Sequence, residues 1–169
     1  EDPAVTTLWI HCRLEELAAG VSVALRKWVS SGRRVVLEND VGSLFGYTLI
    51  DHWPYPIQGR LANERLTHPL TAGVREVVSS SGGVGGLGGW VTTAHATGTP
   101  LIVGTTFAGT PVSLLAVAKY GEGEALFVCP GIVAKQRDGA VLLDNLQTYL
   151  GTRPQATADK PEGRPEEAR

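Results

Sequence analysis

Two short apolar runs, Thr6 to His11 (TTLWIH) and Arg34 to Leu37 (RVVL), flank a segment in which apolar residues recur every three or four positions. Leu14, Leu17, Ala18, Val21, Leu25, Trp28 and Val29 fall on one helical face, and Gly32 stands where a helix end takes a left-handed residue. This order constrains the fold more than any other feature. It predicts a strand, a helix over Leu14 to Ser31 and a second strand, joined as a β-α-β unit with a right-handed crossover. Gly20 is expected to separate a polar turn from the main helix.

The second strand empties into Glu38, Asn39 and Asp40 before Gly42. In α/β proteins ligands bind where buried parallel strands end, so this trio is the leading site candidate. His11, at the end of the first strand, is a second candidate edge. Against the trio stands a structural role, with Asn39 and Asp40 capping the next segment and tolerating its turn geometry.

Beyond Gly42, Ser43 to Tyr47 suits a short helix. Ile50 to Pro56 carries two prolines and reads as a loop with aromatic anchors. Leu66 to Val74 (LTHPLTAGV) is a turn in which His68 before Pro69 satisfies a backbone group. Arg75 to Ser79 is a short strand. Trp90 to Ala96, Leu101 to Thr106, Val112 to Tyr120 and Glu124 to Val128 follow as strands, the last two joined as a hairpin by Gly121-Glu122-Gly123. Asp138 is placed to cap a final helix whose stripe is Val141, Leu142, Leu146, Tyr149 and Leu150, with Gly151 as its stop. Thr152 to Arg169 has three prolines and no large aliphatic side chain, and is expected to be a disordered or partner-bound tail. The domain is thus read as residues 1–151 and the tail as 152–169.

The 169 residues are 43% hydrophobic and 19% charged, which suits one domain with a substantial core. A net charge of -2 and scattered basic residues exclude an electrostatic footprint for nucleic acid. No apolar run reaches the eighteen residues that a membrane span needs. The chain begins at Glu1 and contains no Met, as expected of a processed product or a piece of a longer chain. Cys12 and Cys129 match neither a metal pattern nor a disulfide framework, and the compartment is left open.

Taken in order, the strand-helix-strand start with LRKWVSSGRRVVLEND, the turn THPLTAGV, the hairpin AVAKYGEGEALFV and the helix DGAVLLDNLQTYL resemble the class I glutamine-amidotransferase-like superfamily, most nearly its ThuA-like members. The resemblance implies an α/β fold: a three-layer flavodoxin-like sheet, parallel in its first half with an antiparallel hairpin extension. Such domains begin with one more strand and helix, so a missing first unit is expected to leave a sheet edge open. Laying the family's nucleophile turn on LENDVG puts Asp40 where the catalytic cysteine would stand. The late His-Pro-Glu is also absent, since His68-Pro69 is followed by Leu70. Glutaminase chemistry is therefore disfavoured, because a carboxylate is a poor nucleophile toward an amide.

Three other signals carry little weight. Gly83, Gly85 and Gly88 satisfy a literal G-x-G-x-x-G, yet a strand rather than a helix follows, so the amide cradle for a pyrophosphate is lost. The histidines His11, His52, His68 and His95 form no short-spaced metal pair. No G-x-S-x-G occurs, and Cys129-Pro130 has no nearby base. No cofactor and no metal is expected. The reading from sequence is a non-catalytic structural or interaction module, a subunit or fragment of a larger assembly with a protein partner or second copy. The alternative is a ThuA-like protein of carbohydrate metabolism, holding a small polar ligand at Glu38, Asn39 and Asp40 with His11 and His68 nearby.

Overall fold

The computed structural model of the protein describes residues 5–52, 56–65, 67–79, 89–95, 98–133 and 137–151, with the backbone alone for 51, 52 and 89–95. The glycine triplet of the G-x-G-x-x-G run and the segment 152–169 lie outside the described residues, as do the side chains of His52 and His95. The elements in chain order are β1 (Thr7–His11), α1 (Ala19–Ser30), β2 (Arg34–Glu38), β3 (Tyr47–His52), β4 (Gln58–Leu61), β5 (Glu76–Val78), β6 (Gly89–His95), β7 (Gly98–Thr105), β8 (Pro111–Tyr120), β9 (Gly123–Val128) and α2 (Gly139–Gly151). Short 3-10 turns cover Leu14–Glu16, Asn39–Phe45 and Pro69–Thr71.

The β1-α1-β2 unit matches the sequence pattern, with one adjustment. The helix starts only at Ala19, because Leu17 and Ala18 are extended. The preceding turn is drawn tight instead: the Glu16 carboxylate accepts from the Arg13 amide at 2.8 Å and Asp40 from the Leu14 amide at 2.7 Å. Leu25, Trp28 and Val29 form the helix's buried stripe. β2 is buried along its whole length between β1 and β9, both parallel to it. That position explains its uninterrupted aliphatics.

From β9 the chain order reverses. The path β1-β2-β9-β8-β7-β4-β5 crosses the sheet, and β3 with β6 branches from it at β8. The β8–β9 hairpin pairs Tyr120 with Gly123, and Gly121 turns it at φ 60°. Among the described residues only β1–β2 and β2–β9 pair in parallel; the remaining pairings are antiparallel.

The expected three-layer flavodoxin-like sheet is therefore wrong. A parallel sheet needs a long, usually helical, crossover for every strand. Between Gly42 and Asp138 this sequence offers prolines, glycines and short alternating runs instead. The antiparallel part is the larger part of the sheet, not an extension. The segment read as a loop from Ile50 begins as strand, since β3 runs on to His52 before the prolines.

The two helices cover opposite faces of the parallel strands. The register places Thr7, Arg34 and Glu124 on one face. Thr7 Oγ1 donates to Leu150 O at 3.2 Å and Arg34 to Tyr149 O at 2.6 Å, so α2 lies there. On the other face a Cβ added to Gly123 would strike the backbone of Val29 and Arg33, where α1 ends. Phe127, Leu126, Leu37, Leu142 and Leu146 are fully buried between these layers.

Candidate functional site

The trio at the end of β2 is brought together with β1 by the parallel register. Trp9 pairs with Val36 and His11 with Glu38, so alternate residues place Trp9, His11 and Glu38 on one face. The Glu38 carboxylate accepts from Trp9 Nε1 at 2.6 Å through one oxygen and meets His11 Nδ1 at 2.7 Å through the other. The Glu38 side chain is 11% exposed and that of His11 63%. The cluster opens to solvent through the imidazole and through Trp9, which is 38% exposed.

Asn39 and Asp40 serve the backbone. Asn39 is buried with φ 60°, a left-handed conformation that asparagine tolerates better than most side chains. Asp40 ties the start of the β1–α1 connection through Leu14, as described above, and its own carbonyl accepts from Ser43 Oγ at 2.7 Å. The Glu38 and Asp40 side chains thus hold the ends of β1 and β2 together, and each carboxylate already has partners.

Both thiols lie near this cluster, and both are held protonated. Burial, then the charges of Glu16 and Asp40, push the Cys12 thiol up. Burial, then Glu38, push Cys129 far above its ordinary range. Neither is a ready nucleophile at neutral pH, because the thiolate is the reactive form. Among the described residues no group of three or more His, Cys, Asp or Glu is arranged to hold a metal ion.

His68 stands elsewhere. Its Nδ1 accepts from the Leu70 amide at 3.2 Å, capping the Pro69–Thr71 turn, and its ring lies 5.5 Å from that of Tyr149. Burial lowers its basicity, only partly offset by Glu124. Tyr149 in turn sits under the Arg34 guanidinium, 4.2 Å from the ring centroid. Arg34 begins the strand that Glu38 ends, about 13 Å away at a strand's rise per residue. A cleft of about 600 Å³ beside His68, lined by Leu61, Glu64, Thr67, Pro69 and Arg75 among others, is separate from the Glu38 cluster.

Two features escaped the sequence reading. Trp9 was taken only as a strand residue, although it lies two positions before His11 and so on its face. The other is a buried network: Arg34 Nε to Glu124 at 2.9 Å, Lys119 Nζ to Glu124 at 2.8 Å and Tyr149 OH to Glu124 at 2.8 Å. Burial alone would raise the Glu124 pKa, but the hydrogen bonds from Lys119, Tyr149 and Arg34 outweigh it and hold the carboxyl below its usual value. The Tyr149 phenol is pushed up to about 12 by burial and by Glu124.

No protein-family model and no curated protein matches this sequence. Solved structures do resemble its fold. A β-galactosidase from Bacillus circulans sp. alkalophilus superposes with a TM-score of 0.52 at 14% identity, over 88% of this chain and 22% of that one. The GH42 β-galactosidase Gan42B gives 0.53 at 13%, over 89% and 22%. Cytoplasmic protein STM1381 from Salmonella typhimurium LT2 gives 0.53 at 10%, over 81% and 63%. This chain spans about a fifth of the β-galactosidases and less than two thirds of STM1381. The expected glutamine-amidotransferase-like, ThuA-like membership is overturned: these similar folds are described as β-galactosidases and a cytoplasmic protein, and the sheet is mainly antiparallel. The motifs behind that resemblance were short, and strand, helix and turn recur in that order in many α/β chains. No helix among the described residues is long and apolar enough to cross a membrane.

Proposed function

We propose that this chain is a non-catalytic structural or interaction module that works as part of a larger assembly. The observation that carries the reading is the state of the polar trio. Glu38 is spanned by Trp9 and His11, and Asp40 holds the Leu14 amide, so the carboxylates at the strand ends brace the β1–α1 connection. Burial raises both nearby thiols, Cys12 and Cys129, so neither is an activated nucleophile. A likeness in fold to about a fifth of two much longer chains agrees with a domain that accompanies others.

The test is the mass of the native particle carrying this chain, measured by light scattering and sedimentation. The expected result is a particle well above the 17.9 kDa of the chain itself. A monomer that persists across a wide concentration range overturns the reading.

A second reading, a small polar ligand at the same cluster, is favoured by the open imidazole of His11 and the half-exposed ring of Trp9. Its signature is a change in Trp9 fluorescence on titration with sugars or small acids that disappears in His11→Ala. Unchanged emission across such a panel removes it.

A further inference from the structure

Helical turns are best started by Asn, Asp, Ser or Thr, whose side chains accept an amide proton and keep their charge near neutral pH. The Pro69–Thr71 turn starts on His68 instead. Pro69 has no N–H, so the Leu70 amide is the first in the turn that needs an acceptor. His68 Nδ1 accepts from it at 3.2 Å, and among the described residues that amide has no other acceptor. The donor is a backbone N–H, so Nδ1 must offer its lone pair and the ring's one proton sits on Nε2. A charged imidazolium carries a proton on both nitrogens and cannot make this bond.

The same turn is a joint between α2 and the rest of the chain. Leu70 is fully buried. Asn145 of α2 donates through Nδ2 to Leu70 O at 3.2 Å and to Ala72 O at 2.8 Å, and the His68 ring packs 5.5 Å from that of Tyr149. His68, Pro69, Thr71 and Ala72 also line the cleft of about 600 Å³. Loss of the His68 bond therefore changes the wall of that cleft, while Asn145 still tethers the turn to the helix.

We propose that His68 is a proton-operated latch: uncharged, it holds the Leu70 amide and closes the turn beside α2, and protonated, it lets go of that amide and loosens the wall of the cleft. The choice of residue supports this. Histidine is the side chain whose ordinary titration falls between about pH 5 and 8, where the usual capping residues keep one charge state.

The surroundings of the ring set the direction of the response. Glu124 of β9 favours the imidazolium, but its carboxylate is shared among Arg34 of β2, Lys119 of β8 and Tyr149 of α2. Glu64 and Arg75, of opposite charge, line the cleft with His68. Burial outweighs Glu124 and holds the ring below its ordinary value of 6.5. A lowered folded value means that the neutral latch contributes fully above the unfolded value and is lost as pH falls through the folded one. The latch is separate from the His11 and Glu38 cluster, and it operates whether or not the module has a partner.

The test is NMR on the full chain between about pH 8 and pH 5, following the His68 ring nitrogens and the Leu70 amide. At the upper limit Nδ1 should be unprotonated and Nε2 protonated. As pH falls, the Leu70 amide shift should move with the midpoint of the His68 ring, and its protection, corrected for the intrinsic pH dependence of exchange, should drop about tenfold, the effect of one lost hydrogen bond. A proton on Nδ1 at the upper limit overturns the proposal, as does a Leu70 transition whose midpoint differs from that of the ring. Both readings come from the unaltered chain. In His68→Asn the amide oxygen can accept from Leu70 without titrating, so the protection should persist and the transition should vanish. A transition that survives in this variant also overturns the latch, because another group would then drive it.

Discussion

Arg34 and Glu38 occupy the first and last positions of β2 and share a face, yet the two ends of that strand are built differently. At the Arg34 end α2 closes over the ion pair, and the side chains of Arg34 and Glu124 are 5% and 8% exposed. At the Glu38 end the partner histidine stands in solvent. The same elementary unit, a carboxylate paired with a nitrogen base, is a closed clamp in one place and an open edge in the other. The comparison teaches that cover, rather than residue type, separates a structural pair from one available to a ligand.

The largest effect should follow from breaking the closed end. Arg34→Ala leaves a buried carboxylate with one fewer cation and removes the bond to Tyr149 O, and breaking buried pairs costs about 3–5 kcal/mol. Urea denaturation should show a loss of that order; a loss below 1 kcal/mol would show that the network is dispensable.

Acid should sharpen the contrast. The folded pKa of Glu124 lies below its ordinary value of 4.5, so the folded state favours the ionised form. Its contribution is fully present above the unfolded value and is lost as pH falls through the folded one. The urea midpoint should therefore drop below pH 4.5, and Glu124→Gln, less stable above that pH, should flatten that part of the profile. A profile as steep in the variant would assign the acid sensitivity to other carboxylates, such as Asp138, which the Arg75 and Glu76 amides hold low.

The smallest effect belongs to the open end. His11→Ala should cost less than about 1 kcal/mol, because an exposed pair gains little over water. Trp9 still donates to Glu38 in that variant. A cost as large as that of Arg34→Ala would mean that the Glu38 cluster is a second structural clamp.

How much of this was legible depends on range. The helical spacing from Val21 to Val29 and the aliphatic run at Val35 to Leu37 are local patterns, and β1, α1 and β2 follow from them. The turn at Gly121 and Glu122 likewise announces the β8–β9 hairpin. β4 was missed because QGRL has no alternation to read, and its place is set by pairing with Val103 and Ile102 on β7. Glu38 and His11 were named together as candidates because both end strands. His68 was grouped with them in error, since nothing local says that its turn packs on Tyr149.

The sequence by itself determined the β-α-β start, the antiparallel hairpin, the closing helix and the polar trio at a strand end. Each rests on periodicity or turn chemistry within a few residues. The tertiary structure alone decided that β9 lies beside β2, that most of the sheet is antiparallel, and that Arg34 meets Glu124 across 90 residues of chain. It also decided that β1 stands at the edge with the end of α2 against it. These outcomes depend on which strands share backbone hydrogen bonds, and that choice is made by burial across the whole chain rather than by any segment's own pattern.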